Sequence, residues 1–497
     1  MFSRRSGWTL FDKKEDVKWS GQDFYRQRDK GRADIRMYDT DLRSEFEKDY
    51  HRIIGSASFR RLQDKTQVFP LDKSDFIRTR LTHSMEVSSL AKSLGQNIGE
   101  SILAHKKDTS FTPGMKEDIC NILQCAGLIH DIGNPPFGHY GEFAIREWFE
   151  RNLPALKYHG TPIEELLEEQ MREDFYHFEG NAQALRLVSK LHFLVDENGM
   201  NLTYALLNTI IKYPVASTQI RPKSGDIREK KMGYYYADRE LFEDIVMETG
   251  AGNCRHPLTF ILEAADDIAY KTADIEDAFV KGFITYHSLR DELRKLQNRE
   301  KKLAVPEQAE WNRFRPADKL VELYERAKKN GVDNPGDYAV KNWIVKAQGV
   351  LIGYATSGFT SHYDEIMNGV YKTDLFADTP AEGLVKLLGE IACKCVFKSE
   401  TIYRMEVKEA VMLDNLMDRF MGAIIKYDDP EQKLNSIEER LVSFISNNYK
   451  KAYRYHAEGQ PDIYRLYLRL LLVTDYICGM TDSYAKRLYQ ELNAIMA

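Results

Sequence analysis

From about residue 51 onward, apolar residues recur at spacings of three and four, and stretches alternating with period two are scarce. This periodicity gives each segment one apolar helix face and leaves little material for a sheet. In His83–Ala104 the face carries Val87, Leu90, Leu94, Ile98 and Ile102, and in Asp118–His130 it carries Ile119, Ile122, Leu123, Ala126 and Ile129. Leu258–Ala278 has the same character, as do Tyr338–Tyr354 and Asp462–Met480, where Leu470–Val473 reads as a buried face. The best strand signal is Tyr234-Tyr235-Tyr236, which the pattern places in one arm of a small hairpin. The expected fold class is all-α, with at most one such hairpin.

The 497 residues suggest several domains or one large globule with added elements. Residues 1–50 are polar, charged and aromatic, and are expected to form an N-terminal arm that packs on something larger. A helical core is expected over 51–288 and a helical C-terminal lobe over 289–497. The run 289–302 is so rich in Arg, Lys, Asp and Glu that it reads as a solvated helix face. With 43% hydrophobic residues and a net charge of −6, the chain is too apolar to be disordered and too acidic to be coated in nucleic-acid-binding charge. A local basic groove remains compatible with that total. Six cysteines without a CxxC pair argue for a reducing compartment, and Cys393 and Cys395, at strand-like spacing, read as buried thiols. The N-terminal residues lack the apolar segment of a signal peptide, and no apolar run approaches the ~20 residues of a membrane span. The expectation is a cytoplasmic protein with no membrane partner.

The chemistry concentrates where the second helix stops. Leu128-Ile129-His130-Asp131-Ile132-Gly133 runs into Asn134-Pro135-Pro136, a strong breaker. Adjacent side chains on a helix point about 100° apart, so His130 and Asp131 can converge on one ion only at a helix end. Imidazole with carboxylate suits Zn, Fe, Mn, Co or Ni more than Ca. Taken alone, the pair reads first as a polar cap, His hydrogen-bonded to Asp. Three further features favour a site. His83 stands at the start of its helix in Arg80-Leu-Thr-His-Ser-Met-Glu86. Glu263-Ala-Ala-Asp-Asp-Ile-Ala-Tyr270 places Asp266 and Asp267 in an otherwise apolar helix, where an unpaired carboxylate is expensive. Gly138-His139-Tyr-Gly-Glu142 follows closely.

The pattern His83…His130-Asp131…Asp266 resembles the H…HD…D signature of HD-domain metal phosphohydrolases. Phe59-Arg-Arg-Leu-Gln-Asp-Lys-Thr-Gln-Val-Phe-Pro70, Arg78-Thr-Arg-Leu-Thr-His-Ser-Met-Glu86, His130-Asp-Ile-Gly-Asn-Pro-Pro-Phe-Gly-His139 and Phe178-Glu-Gly-Asn-Ala-Gln183 look like the dGTPase branch, the deoxynucleoside triphosphate triphosphohydrolases. The resemblance is strong over about 35–285 and thin beyond. It implies an HD-domain fold and one divalent ion per site, held by His83, His130, Asp131 and Asp266; Mn or Mg is favoured, with Fe, Co, Ni or Zn as alternatives. Asp266 is preferred to Asp267 because steps of four align it with Tyr270 and Asp274, as in the family, where those two contact the sugar 3′-OH. Asp267 is then left to face phosphates or solvent.

His139, supported by Glu142, is implied in attack at the α-phosphorus; Arg80, Lys212 and Lys231 in phosphate binding; Gln63, Tyr270 and Asp274 in sugar binding. His177 is placed at the site rim. No GxxxxGK[ST] loop is present, which excludes a P-loop. The implied reaction is dNTP hydrolysis, with dGTP first, to deoxynucleoside and tripolyphosphate. The implied partners are the dNTP, other copies of the chain (a hexamer is one arrangement) and single-stranded DNA, with the C-terminal lobe contributing to the substrate pocket and oligomer contacts. The rival readings are an HD-type phosphohydrolase of another nucleotide and a nucleotide-gated DNA-binding assembly.

Overall fold

Two helices cross at a glycine to build the floor of the site. The first, α1, runs Arg80–His105, and the second, α2, runs Pro113–Ile129. At their crossing, a methyl group on Gly127 would lie 2.5 Å from Ser88 Cα, so only a hydrogen permits this approach. Ser88 Oγ donates to the Gln124 carbonyl at 2.8 Å beside it. Thr112 caps α2 by accepting from the Met115 amide, and Pro113 occupies the first turn, where a missing N–H is harmless. Gly127→Ala should overpack this crossing and lower stability by ~2–3 kcal/mol. A denaturant midpoint unchanged from wild type would contradict that.

The computed structural model describes residues 43–67, 78–105, 108–193, 196–303, 314–394 and 400–495. After α2 come α3 (Gly138–Asn152), a two-residue hairpin with β1 (Lys157–Tyr158) antiparallel to β2 (Thr161–Pro162), and α4 (Pro257–Val280). Helix α4 packs against both α1 and α2 and buries Leu258, Ile261, Leu262, Ala265, Ile268, Ala269 and Ile275. Then follow α5 (Tyr286–Leu303), α6 (Pro335–Ser361), α7 (Glu400–Ile424), α8 (Asp462–Cys478) and α9 (Asp482–Leu492). In α5, Tyr286, Leu289, Leu293 and Leu296 face inward, and most of the charged side chains described there face solvent. The fold is all-α, and among the described residues the one sheet is that hairpin.

Apolar packing continues from Phe46 to Leu488. Asp475 of α8 accepts from Arg186 Nε and Nη2, each at 2.8 Å, and from Gln183 at 2.9 Å, which joins the C-terminal helices to the core by a buried, two-pronged ion pair. Residues 1–42 of the expected arm lie outside the described residues; Glu45–Gly55 is a helix with Ser44 and Glu47 in a capping box, and it buries Phe46 and Ile53.

The structure corrects two expectations. Tyr234–Tyr236 is no strand: Tyr234 stacks on Phe242, Tyr235 is fully buried, and Tyr236–Asp238 is a 3-10 turn. Aromatic side chains buried from an irregular segment imitate strand alternation. The hairpin lies instead at His159-Gly160, whose positive φ values of 48° and 86° suit a tight two-residue turn. Cys393 is exposed at the end of the helix Glu382–Ala392, and Cys395 lies outside the described residues. No helix among the described residues is long and apolar enough to cross a membrane.

Candidate active site

His83 in the first turn of α1, His130 at the end of α2 and Asp266 in the middle of α4 meet at one point. Asp266 Oδ1 lies 3.2 Å from His83 Nε2 and 3.4 Å from His130 Nε2, and the two imidazoles stand edge to face at 5.2 Å. His130 Nδ1 donates to the Gly127 carbonyl at 2.8 Å, so the same glycine that sets the crossing also orients this ring. With Nδ1 engaged, His130 Nε2 is buried without a hydrogen-bond partner and is turned toward the carboxylates of Asp266 and, at 3.7 Å, Asp131. Asp267, by contrast, pairs with Lys271 at 2.7 Å on the outer side of α4.

Asp131 stands beside this trio. Its Oδ2 is held by Arg80, and its Oδ1 accepts from Asn134 Nδ2 at 2.8 Å. Lys212 donates to Asp266 Oδ2 at 2.9 Å. Burial opposes ionisation of both aspartates, but Arg80 with His130 for Asp131, and Lys212 with His130 for Asp266, outweigh it and hold both carboxyls below the usual range. Burial likewise opposes charge on His130, yet the two carboxylates raise its pKa.

The turn after His130-Asp131 leads directly into α3. Phe137 and Gly138 are both left-handed, with φ of 65° and 61°, a conformation that costs a non-glycine residue ~1–2 kcal/mol. A methyl group at Gly138 would lie 2.3 Å from Arg80 Nη2 and would push that guanidinium aside. His139 follows, 72% exposed, and its Nδ1 donates to Glu142 Oε2 at 3.2 Å. Glu142 is buried; its other oxygen accepts from the Gly180 amide at 2.9 Å. The hydrogen bond to Glu142 raises the His139 pKa, and Glu142 itself, despite burial, is drawn down to about 2 by His139. Lys231 grips Glu179 at 2.8 Å, next to that amide, and Arg146 bridges Glu142 and Glu179 at 3.4 and 3.2 Å.

One turn and two turns beyond Asp266 on α4 stand Tyr270 and Asp274, hydrogen-bonded to each other. Burial, then the charge of Asp277, pushes the Asp274 carboxyl up to about 8, and its Oδ2 is buried with no hydrogen-bond partner. Gln63 is exposed on the 3-10 turn Leu62–Asp64, apart from these contacts. His177 lies 3.5 Å from Glu173 at the end of its own helix.

The sequence reading missed the residues that hold the turn. Lys65, 2% exposed, donates to the carbonyls of Asn134 at 2.5 Å and Cys478 at 2.6 Å. Asp482, at the start of α9, accepts from the Phe137 amide at 3.0 Å. An acidic residue in a first helical turn reads as an ordinary dipole partner, so no local signal separates Asp482 from many others.

A family model described as "HD domain" matches residues 80–239. The chain is 46% identical to a deoxyguanosinetriphosphate triphosphohydrolase-like protein of Listeria innocua, over 93% of this chain and 96% of that protein. It is 32% identical to a deoxyguanosinetriphosphate triphosphohydrolase of Yersinia enterocolitica, over 96% and 99%. The chain belongs to the deoxyguanosinetriphosphate triphosphohydrolase family. HD domains of this kind are metal-dependent, and the donors here suit a divalent ion. The unpartnered His130 Nε2 and the neighbouring carboxylates fit one.

Proposed function

We propose that this member of the family hydrolyses deoxynucleoside triphosphates, dGTP foremost, to deoxynucleoside and tripolyphosphate. The observation that carries the reading is the junction of the His83–His130–Asp266 cluster with the His139–Glu142 pair, both built around one turn. His83, His130, Asp131 and Asp266 would hold the ion. When bound, a divalent ion supplies Lewis acidity at phosphoryl oxygens and a more acidic water.

The protein's own groups do the rest. His139, made more basic by Glu142, takes a proton from the water that attacks the α-phosphorus. The bond from that phosphorus to the sugar 5′-oxygen breaks, and the protonated His139 returns its proton to this oxygen, which leaves as the 5′-hydroxyl of the deoxynucleoside. Arg80, Lys212 and Lys231, which hold Asp131, Asp266 and Glu179 here, are assigned to the triphosphate oxygens. Asp274, neutral around pH 7, offers its unpartnered oxygen to a sugar hydroxyl, and Tyr270 beside it narrows the space for a 2′-OH. Gln63 is assigned to the sugar as well.

The deciding experiment incubates purified protein with each dNTP and NTP plus Mn²⁺ or Mg²⁺ and resolves the products. Tripolyphosphate with deoxyguanosine is expected, with dGTP turned over faster than GTP. Orthophosphate or pyrophosphate as the phosphate product would overturn the reading in favour of another HD-type phosphohydrolase.

A further inference from the structure

We infer that Asp482 is a positioning residue for His139, reaching from the C-terminal helix to hold the turn that launches α3. The inference rests on the catalytic reading of His139 given above.

His139 is mostly exposed, so packing does little to fix its ring. Its position depends on Glu142 and on where the backbone of α3 begins. That beginning is unusual. Phe137 is the N-cap residue, it is left-handed, and it provides no side-chain cap to its own helix. The turn presses directly on α3: a methyl group at Gly141 would lie 2.1 Å from the Pro136 carbonyl oxygen. Any change in the shape of Pro135–Gly138 therefore shifts the first turn of α3, which carries His139.

Two buried side chains clamp the turn at both ends. Asp482 Oδ1 accepts from the Phe137 amide at 3.0 Å, while Oδ2 accepts from the Thr66 amide at 2.9 Å and the Thr66 hydroxyl at 2.7 Å. Lys65 closes the other end through the carbonyls of Asn134 and Cys478. Asp482 is 1% exposed, so it is no surface cap. One carboxylate thus ties three backbone stretches that lie far apart in the chain and meet beside the site. A displacement near 1 Å can cost ~10²-fold in rate, which makes such a clamp consequential for a group held mainly by its backbone.

The test is a double-mutant cycle in the full-length chain, with dGTP and Mn²⁺. Asp482→Ala should lower kcat ~10-fold while KM and metal content stay near wild type. In the His139→Ala background the same change should have almost no further effect on kcat, because there is no imidazole left to misplace. An equal loss in that background would overturn the assignment, as would a wild-type kcat accompanied only by a lower melting temperature. Should the alanine variant not fold, Asp482→Asn carries the same cycle. A kcat loss that vanishes without His139 supports the clamp, and an unchanged kcat or a persistent loss overturns it. If His139→Ala alone leaves kcat unchanged, the catalytic reading fails and takes this inference with it; a large His139 effect with an additive Asp482 loss defeats the clamp alone.

Discussion

Asp266→Asn is expected to abolish turnover and strip the metal, whereas Asp267→Asn should retain most activity. The two residues are adjacent and chemically identical, so the difference isolates geometry. Asp266 is the point where α1, α2 and α4 meet: one oxygen faces both imidazoles and the other holds Lys212. Asp267 faces the other way, 37% exposed and paired with Lys271. An amide at 266 removes the negative charge that offsets a divalent ion and takes the paired charge from the buried Lys212 ammonium. An ion acting at phosphoryl oxygens is worth several kcal/mol, so losing it should lower kcat/KM by ~10³-fold or more. Elemental analysis of the folded variants, with helical content followed by circular dichroism, separates metal loss from unfolding. Full metal occupancy in Asp266→Asn, or the reverse order of effects between the two positions, would show that the wrong carboxylate had been assigned.

The helices nearest the site were legible in the sequence because one physical signal, a repeating apolar face, specifies each of them. His83–Ala104, Asp118–His130 and Leu258–Ala278 became α1, α2 and α4 with ends moved by a few residues. His130 and Asp131 stood out because two ligand-type residues run into a Gly-Asn-Pro-Pro stop, and Asp266 with Asp267 because a carboxylate in an apolar helix needs a partner; the choice of Asp266 came from its alignment with Tyr270 and Asp274 and the family resemblance. Periodicity reports that a face is buried but not which helix it meets. The Arg80–Asp131 and Lys212–Asp266 pairs were therefore out of reach, although all four residues had been singled out. Contacts across hundreds of residues were less legible still. Asp475 with Arg186, and Asp482 with Phe137, join a C-terminal helix to the core through side chains that look like surface charge in sequence. Tyr234–Tyr236 failed for the opposite reason: a strong local signal was produced by burial in an irregular segment.

His139→Ala should separate chemistry from binding. The imidazole touches none of the four residues assigned to the ion, so metal content should be unchanged. Arg80, Lys212, Lys231, Tyr270 and Asp274 remain in place, so much of the dNTP affinity should persist. The expected loss is in kcat, ~10²–10⁴-fold, the range for removing a general acid–base group. Glu142→Gln should cost less in kcat but carry a signature in pH. Glu142 is ionised at neutral pH and raises the His139 pKa through the 3.2 Å hydrogen bond. Removing that charge lets the imidazole titrate lower. A base must be deprotonated to act, so the acid limb of the kcat profile should move to lower pH in Glu142→Gln, while the plateau falls because a less basic imidazole accepts a proton less readily. The same limb should be absent from His139→Ala. A rise in KM with kcat unchanged in His139→Ala would instead mark His139 as a phosphate ligand, with activation of the attacking water left to the metal centre alone.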